Sequence, residues 1–313
     1  MIISASRRTD IPKYYSDWFF NRIKEQYVLV RNPMSIHHLS KINLSPNTID
    51  AIVFWTKDPT PMIDRLDELE GFCYYFQFTV NSYGKEVEPN LPNKNEFIIP
   101  TFQRLSDKIS ADKIIWRYDP IFLNNYYTID YHIKYFEKIA KRLKDYTRKC
   151  TISFIDLYKN TMRNVKGLNI AELTVPNKRI LAKELSEIAI SYGLKIDTCA
   201  EDIELKDFNI THARCIDDKL IEKISGFSLD IEKDKNQRLE CGCVASIDIG
   251  MYNTCCNGCK YCYANFSLNT VNNNFKNHNS NSPLICGQLV EEDVIKERLV
   301  KSCKDCQIRL FDN

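Results

Sequence analysis

The run "AIVFWTKDPTPM" (residues 51–62) contains one whole unit of the fold. Its first five residues are apolar without a break, which suits a strand covered on both faces in a parallel sheet. The run then turns abruptly polar at Thr56, Lys57 and Asp58. Pro61 suits the first turn of a helix that carries Ile63, Leu66 and Leu69 on one stripe. The same order of apolar strand, polar end and amphipathic helix recurs through the first 200 residues. Strands are predicted over 2–6, 51–55, 73–80, 113–117, 151–156 and 194–199, with "YVLVRN" (27–32) a further strand or an extended loop. Ser16 is placed to cap a helix burying Trp18, Phe19 and Ile23. Thr128 opens one carrying Ile133, Phe136, Ile139, Ala140 and Leu143, and Gly193 closes one carrying Ile180, Leu181, Leu185 and Ile188. This succession predicts an α/β fold, a (β/α) barrel or partial barrel of TIM type, with an open doubly wound sheet as the alternative. Residues 1–200 are expected to form the barrel core. Residues 201–313 are expected to be a cysteine-rich segment that completes the same domain and packs at the barrel mouth.

Composition narrows the function classes. The 313 residues are 44% hydrophobic, enough to bury a core without crosslinks. A net charge of +2 argues against a strongly electrostatic binder of nucleic acid or membranes, and the basic run "KRLKDYTRK" (141–149) reads as the solvated end of a helix. No stretch approaches the ~20 apolar residues of a membrane span, and the N-terminus has no apolar leader. The expectation is a soluble, cytoplasmic protein, where clustered cysteines signal metal or catalysis rather than disulfides. There is no Gly-rich phosphate loop, Rossmann fingerprint or HExxH, and the five histidines show no metal spacing.

In α/β folds the chemistry sits where strands end. Here those ends carry Arg7, Arg8, Thr9 and Asp10, then Lys57, then Arg117 and Asp119 in "WRYDP", then Asp156, Glu201 and Asp202. Arg7, Arg8, Asp10, Lys57, Arg117 and Asp119 are the candidate catalytic residues, forming a mouth for a small polar or anionic substrate, since Arg suits carboxylate and phosphate.

Eleven of the 13 cysteines lie at or after residue 199, while Cys73 and Cys150 sit in apolar runs as core residues. Cys255, Cys259 and Cys262 form C-x3-C-x2-C. Three thiolates in one tight loop can hold three irons of a [4Fe–4S] cube and leave the fourth open to a small molecule. Tyr261 and Tyr263, which flank the last cysteine, and Glu201 are the candidate cofactor-binding residues. Cys256 offers an alternative C-x2-C-x2-C register and is taken as a bystander. Upstream, Cys199, Cys215, Cys241 and Cys243 supply the four thiolates of a second, closed iron–sulfur cluster or of a structural zinc site. Cys286 and the pair Cys303 and Cys306 are assigned no centre. The Asn-rich "NTVNNNFKNHNSNS" (269–282) is expected to be an exposed loop.

The segments "SASRRTDIPKYY", "VFWTKDPTPM", "WRYDPIF", "TCAE", "KDKNQRLECGC" and "DIGMYNTCCNGCKYCYANFS" together resemble a bacterial family of unknown function. That family is notable for a C-terminal cysteine cluster similar to the N-terminal cluster of radical S-adenosylmethionine (SAM) enzymes. The likeness runs from the first residues to about Phe311. It implies an iron–sulfur protein and a barrel, and supplies no substrate. In radical SAM enzymes the triad follows the first strand, whereas here it lies about four-fifths of the way along. A circularly permuted order, with "VASIDIG" (244–250) as the strand feeding the cluster loop, brings it to the same mouth. No two of the nine glycines are adjacent, so the Gly-Gly-Glu segment that meets the amino group of SAM has no counterpart.

Three functions are compatible with these features. The leading one is a radical SAM-like enzyme: a reduced cluster passes an electron to SAM, and the 5′-deoxyadenosyl radical takes hydrogen from a substrate held at the mouth. The second cluster delivers electrons or anchors substrate, and turnover calls for an electron donor. The second function is an iron–sulfur redox or Lewis-acid protein without SAM. The third is a zinc-stabilised binding module.

Overall fold

The apolar runs become strands of one sheet in a computed structural model that describes residues 1–305. The strands in chain order are β1 (Ile2–Ala5), β2 (Tyr27–Asn32), β3 (Ser35–Asn43), β4 (Ala51–Thr56), β5 (Tyr74–Thr79), β6 (Ile114–Ile121), β7 (Lys149–Phe154), β8 (Lys195–Thr198), β9 (Thr211–His212), β10 (Ile247–Asp248) and β11 (Val294–Glu297). Eight of them form a sheet in the order β10-β1-β4-β5-β6-β7-β8-β9, and every ladder in it is parallel. From β1 to β9 the chain advances across the sheet in one direction, and the last strand, β10, returns to the far edge beside β1. Among the described residues no ladder joins β9 to β10, although Val244 N–H donates to Ile216 O at 3.2 Å. A small second sheet, β11-β3-β2, lies outside this frame.

Alternate residues of the strands serve two different cores. One face carries Ile3, Phe54, Phe76, Phe78, Trp116 and Ile152 against the helices. The helices in chain order are α1 (Ile11–Tyr14), α2 (Ser16–Glu25), α3 (Thr60–Ile63), α4 (Ile99–Ile109), α5 (Ile129–Leu143), α6 (Lys159–Asn164), α7 (Val175–Ser191), α8 (Asp218–Ser225) and α9 (Leu268–Lys276), of which α1 to α5 and α7 pack on this face. Three of them press an aromatic ring onto the sheet. Phe19 of α2 lies 5.1 Å from Phe54, Phe102 of α4 is 4.9 Å from Phe78, and Phe136 of α5 is 4.7 Å from Trp116, centroid to centroid. The other face carries Ile2, Val53, Tyr75 and Ile115 and is covered by the chain between β8 and β10, through Cys215, Ile216, Ile221, Cys241, Cys243 and Val244. Two-sided burial accounts for the unbroken apolar strands.

Local signals hold at most helix ends. Thr128 accepts from Tyr131 N–H at the start of α5, Pro61 stands in the first turn of α3, and Gly193 follows α7 at φ +72°. Two expectations fail. Ser16 is not a cap: α1 runs almost directly into α2, and the Ser16 hydroxyl donates back to Pro12 O at 2.6 Å. The Asn-rich stretch is not all loop, because α9 occupies its first half. There Ser267 accepts from Thr270 N–H, and Val271 is buried.

Phe54 is fully buried, stacked 4.7 Å from Phe76 and edge-on to Phe19. Phe54→Ala is expected to lower stability by about 3–5 kcal/mol, seen as a lower urea midpoint at an unchanged m-value.

Candidate functional site

Parallel strands point their carboxyl ends to one edge of the sheet, and a cavity of about 490 Å³ opens there. Cys255, Cys259 and Cys262 reach its wall from the loop after β10. Cys199, Cys215, Cys241 and Cys243 reach it from the ends of β8 and β9 and from the approach to β10. Arg7, Arg8, Asp10, Lys57, Arg117 and Asp119 line the same space, as do Tyr261 and Tyr263.

The cluster loop is held by the first motif of the chain. At the end of β10, Asp248 accepts from Ser4 Oγ (3.1 Å), Ser6 Oγ (2.6 Å), Arg7 N–H (2.8 Å) and Gly250 N–H (2.9 Å), clasping the loop after β1 to the loop after β10. Gly250 permits this approach, since a Cβ there would lie 2.1 Å from Ser6 Oγ. Farther along, Tyr15 Oη donates to Thr254 O at 2.6 Å, and Tyr14 Oη and Lys13 Nζ both donate to Asn257 Oδ1, at 2.9 and 3.1 Å. Asn257 Nδ2 in turn donates to Asp10 at 3.0 Å. Gly258, at φ +69°, passes close to Pro89 and Asn90, and the Asn90 amide donates to Cys256 O at 2.8 Å.

Asp10 therefore has a task other than facing substrate. Its carboxylate also accepts from Lys13 N–H (3.1 Å), Thr56 Oγ1 (2.7 Å) and Lys57 N–H (2.9 Å), so it braces β1, β4 and the cluster loop. Burial raises its pKa, and these donors oppose the rise. Lys57 is similarly engaged: its ammonium donates to Glu88 at 2.9 Å and sits 5.3 Å from the Tyr261 ring centroid. Glu88 is buried, which by itself would raise its pKa, but Lys57 and Lys94 (2.5 Å) outweigh this and hold it at about 2. Tyr261 Oη also donates to Glu88, and Tyr263 Oη donates to Arg7 O at 2.9 Å. Burial pushes the Cys255 and Cys262 thiols up and takes Cys259 to about 12, with Lys57 opposing it at Cys259. Any metal held by these thiols would have to draw off their protons.

The upstream thiols are gathered around Cys215. Cys199 Sγ and Cys215 Sγ are in hydrogen-bond contact at 3.2 Å, and Arg117 Nη1 donates to Cys215 Sγ at 3.0 Å. Donation from Cys199 and Cys243, aided by Arg117, holds the Cys215 thiol well below its ordinary range against the pull of burial. The rest of the Arg117 fork goes to Asp119, at 2.5 and 3.1 Å, and to Gln77 Oε1 at 3.2 Å. Arg117 and Asp119 thus serve the sulfur site. As they stand, no three His, Cys, Asp or Glu side chains among the described residues converge on a point that would hold a single metal ion.

The domain family whose model matches this sequence spans residues 2–264, which takes in the first motif and both sets of cysteines. The chain belongs to the domain of unknown function DUF1848. No curated protein matches it. In this DUF1848 chain the match ends just after Cys262, so α9, β11 and Cys286 lie beyond it.

The remaining candidates sit elsewhere. Glu201 is off the cavity wall: its carboxylate accepts from Phe154 N–H at 2.7 Å and pairs with Lys178 at 3.2 Å, fixing the turn after β8. Cys256 does not line the cavity and lies 3.9 Å from Thr254 O, and Cys286 is buried 3.9 Å from Tyr15 Oη. Cys303 N–H donates to Asp50 at 2.7 Å, and Cys306 lies outside the described residues. Among the described residues no helix is long and apolar enough to cross a membrane. Asp248, Asn257 and Glu88 were missed because each is a lone polar residue whose partners are distant in sequence. Only the polar ends of the strands hinted at such a network.

Two outcomes test this geometry. Because the folded-state pKa of Glu88 is depressed, its ion pairs stabilise the fold above about pH 4.5 and lose that effect as pH falls toward 2. The stability gap between the native chain and Glu88→Gln is expected to be largest above pH 5, on the order of 3 kcal/mol, and to narrow steadily below it, by urea unfolding across pH. Gly250→Ala is expected to part the loops after β1 and β10, giving faster amide exchange at residues 249–257 with the helical face of the sheet unchanged.

Proposed function

We propose that the protein is an iron–sulfur enzyme of radical SAM type. Cys255, Cys259 and Cys262 hold a [4Fe–4S] cluster, and Cys199, Cys215, Cys241 and Cys243 hold a second thiolate centre. The observation that carries this reading is the delivery of seven thiols, from separate stretches of chain, to the wall of one cavity. None of the described cysteines is in a disulfide, so all seven remain available as ligands. The donor chemistry fits: three thiolates suit a cube with one open iron, and four suit a closed centre. Bound at the triad, the cluster supplies an open iron for SAM and the electron for its cleavage.

The chain's own residues have separable tasks. Lys57 keeps a positive charge near Cys259, offsetting the charge of the thiolates. Asn257, Asp10 and the Tyr14–Tyr15 pair fix the loop that presents them. Tyr261 and Tyr263 wall the cavity and limit water, and a small polar or anionic substrate lies between the two sets of thiols. We read the sheet as a partial barrel, because its strands advance in one direction and β10 brings the last segment back beside β1. This order sets the cluster loop next to the first strand, as the permuted arrangement requires. An electron donor follows from turnover.

A single zinc ion at the upstream set is the second reading. Thiolates about 2.3 Å from zinc in a tetrahedron lie about 3.8 Å apart. Cys199 and Cys215, now 3.2 Å apart, would separate slightly while Cys241 and Cys243 closed around the same ion, since the four do not converge on one point as they stand.

The test is anaerobic reconstitution followed by dithionite reduction and EPR, with and without SAM. Expected are a cluster signal that shifts on adding SAM, release of 5′-deoxyadenosine, and loss of that signal in Cys259→Ala. Cys241→Ala is expected to keep the SAM-sensitive signal and lose the remaining iron or zinc. A signal that SAM leaves unshifted refutes the SAM chemistry and leaves a redox or Lewis-acid protein. A colourless, zinc-loaded product refutes iron altogether.

A further inference from the structure

We infer that the cavity grips an oxyanion, a carboxylate or a phosphate, on the Arg7 guanidinium and the Trp55 indole N–H. The inference rests on this cavity being the substrate site of the proposed enzyme, and it makes the substrate an anion held beside both sets of thiols.

Arg7 follows β1 and Trp55 lies on β4, neighbouring strands whose register pairs Ala5 with Phe54. Both residues line the cavity, and the guanidinium carbon lies 5.4 Å from the Trp55 ring centroid. Arg7 Nη2 and Trp55 Nε1 are buried donors without an acceptor, and the hydroxyls of Thr9 and Thr161 on the same wall are likewise buried and unpartnered. Native interiors rarely leave such groups unmet, so a bound acceptor is the simplest completion.

Three other cations of the wall already have acidic or sulfur partners. Arg117 holds Asp119 and Cys215, Lys57 holds Glu88, and Arg238 holds Asp156 at 2.6 Å. Arg8 is stacked 5.0 Å over Tyr252. Asp248 attracts the Arg7 guanidinium through space, but its carboxylate oxygens are taken by Ser4, Ser6, Gly250 and the Arg7 backbone N–H. A neutral carbonyl would satisfy the hydrogen bond but bring no charge to a guanidinium that Asp248, Cys215 and Cys243 attract only through space, with no hydrogen bond to it. An oxyanion meets both needs, and its second oxygen can take the indole N–H. The rival role for Arg7 is to balance charge on the upstream centre, since Cys215 and Cys243 are also near it.

The test titrates the full chain calorimetrically with sodium phosphate and with sodium acetate, at fixed ionic strength in chloride. Arg7→Gln, Trp55→Phe and the surface variant Arg179→Gln are run beside the native chain. Expected are saturable binding of one anion, weakening of about tenfold or more in Arg7→Gln, several-fold weakening in Trp55→Phe, and no change in Arg179→Gln. Tighter acetate identifies a carboxylate substrate, and tighter phosphate a phosphorylated one. The inference is overturned if neither anion binds the native chain, or if Arg7→Gln binds anion as well as the native chain does. A changed cluster spectrum with unchanged anion affinity also overturns it and gives Arg7 to the upstream centre. Trp55→Phe keeps the ring and removes one donor, so it decides the matter if Arg7→Gln fails to fold. The titration is also readable on metal-free or zinc-loaded protein, so Arg7-dependent anion binding there sustains this inference even where the iron reading fails.

Discussion

The clasp at Asp248 joins the two ends of the matched sequence into one site. One carboxylate takes the Ser4 hydroxyl of β1, the Ser6 hydroxyl and Arg7 N–H of the loop after it, and Gly250 N–H of the loop after β10. It can do so only because β10 pairs in parallel with β1, Ser4 beside Asp248. Parallel pairing sends both carboxyl ends the same way, so the arginines of the first motif and the cysteines near residue 260 emerge side by side. An antiparallel β10 would leave the cysteines at the opposite end of the sheet. The order of the other strands fixes what else meets them there: Lys57 after β4, Arg117 on β6 and Cys199 after β8.

Burying so much charge next to thiols is costly unless each group is answered. The chain answers them in short local circuits. Glu88 takes Lys57 and Lys94, Asp119 takes Arg117, and Asp10 takes four neutral or backbone donors instead of a cation. Placing the cations nearest the sulfurs favours thiolate over thiol, the ionisation that any metal or cluster demands. The arrangement suits anionic sulfur centres better than it suits a general acid or base, because none of these carboxylates is free to exchange a proton with a ligand.

The sheet could be read from the sequence because burial on both faces leaves long apolar runs, and the helices because their stripes and caps are local. Ser16 misled because a hydroxyl before an apolar stripe looks the same whether it caps its own helix or bonds back to the preceding turn. The Asn-rich stretch misled because composition says nothing of Val271, whose burial fixes α9. Strand β9 is two residues, too short for any periodicity, and its existence is decided by pairing with β8, whereas β10, expected over 244–250, forms there but only at Ile247–Asp248, beside β1. The spacing of Cys255, Cys259 and Cys262 sets that triad apart, while the upstream four are grouped by their number and by Cys199 lying at a strand end, and both groups reach the same cavity. The tasks of Asp10, Arg117 and Glu201 were not legible, because a polar residue at a strand end looks alike whether it meets a ligand or a neighbour.

What separates the seven cavity cysteines from the others is the direction in which the backbone turns at each. Gly258, in its left-handed conformation, falls between Cys256 and Cys259 and reverses the chain against Pro89 and Asn90. Cys255, Cys259 and Cys262 come to the cavity wall, while Cys256 is left beside Thr254 O. Between Cys241 and Cys243, Gly242 packs against Ala213 O, where a Cβ would come within 2.9 Å, so the C-x-C pair can lie against the Cys215 segment. Gly242 and Gly258 thus stand at two points between neighbouring cysteines where a Cβ would crowd Ala213 O in one case and Pro89 and Asn90 in the other.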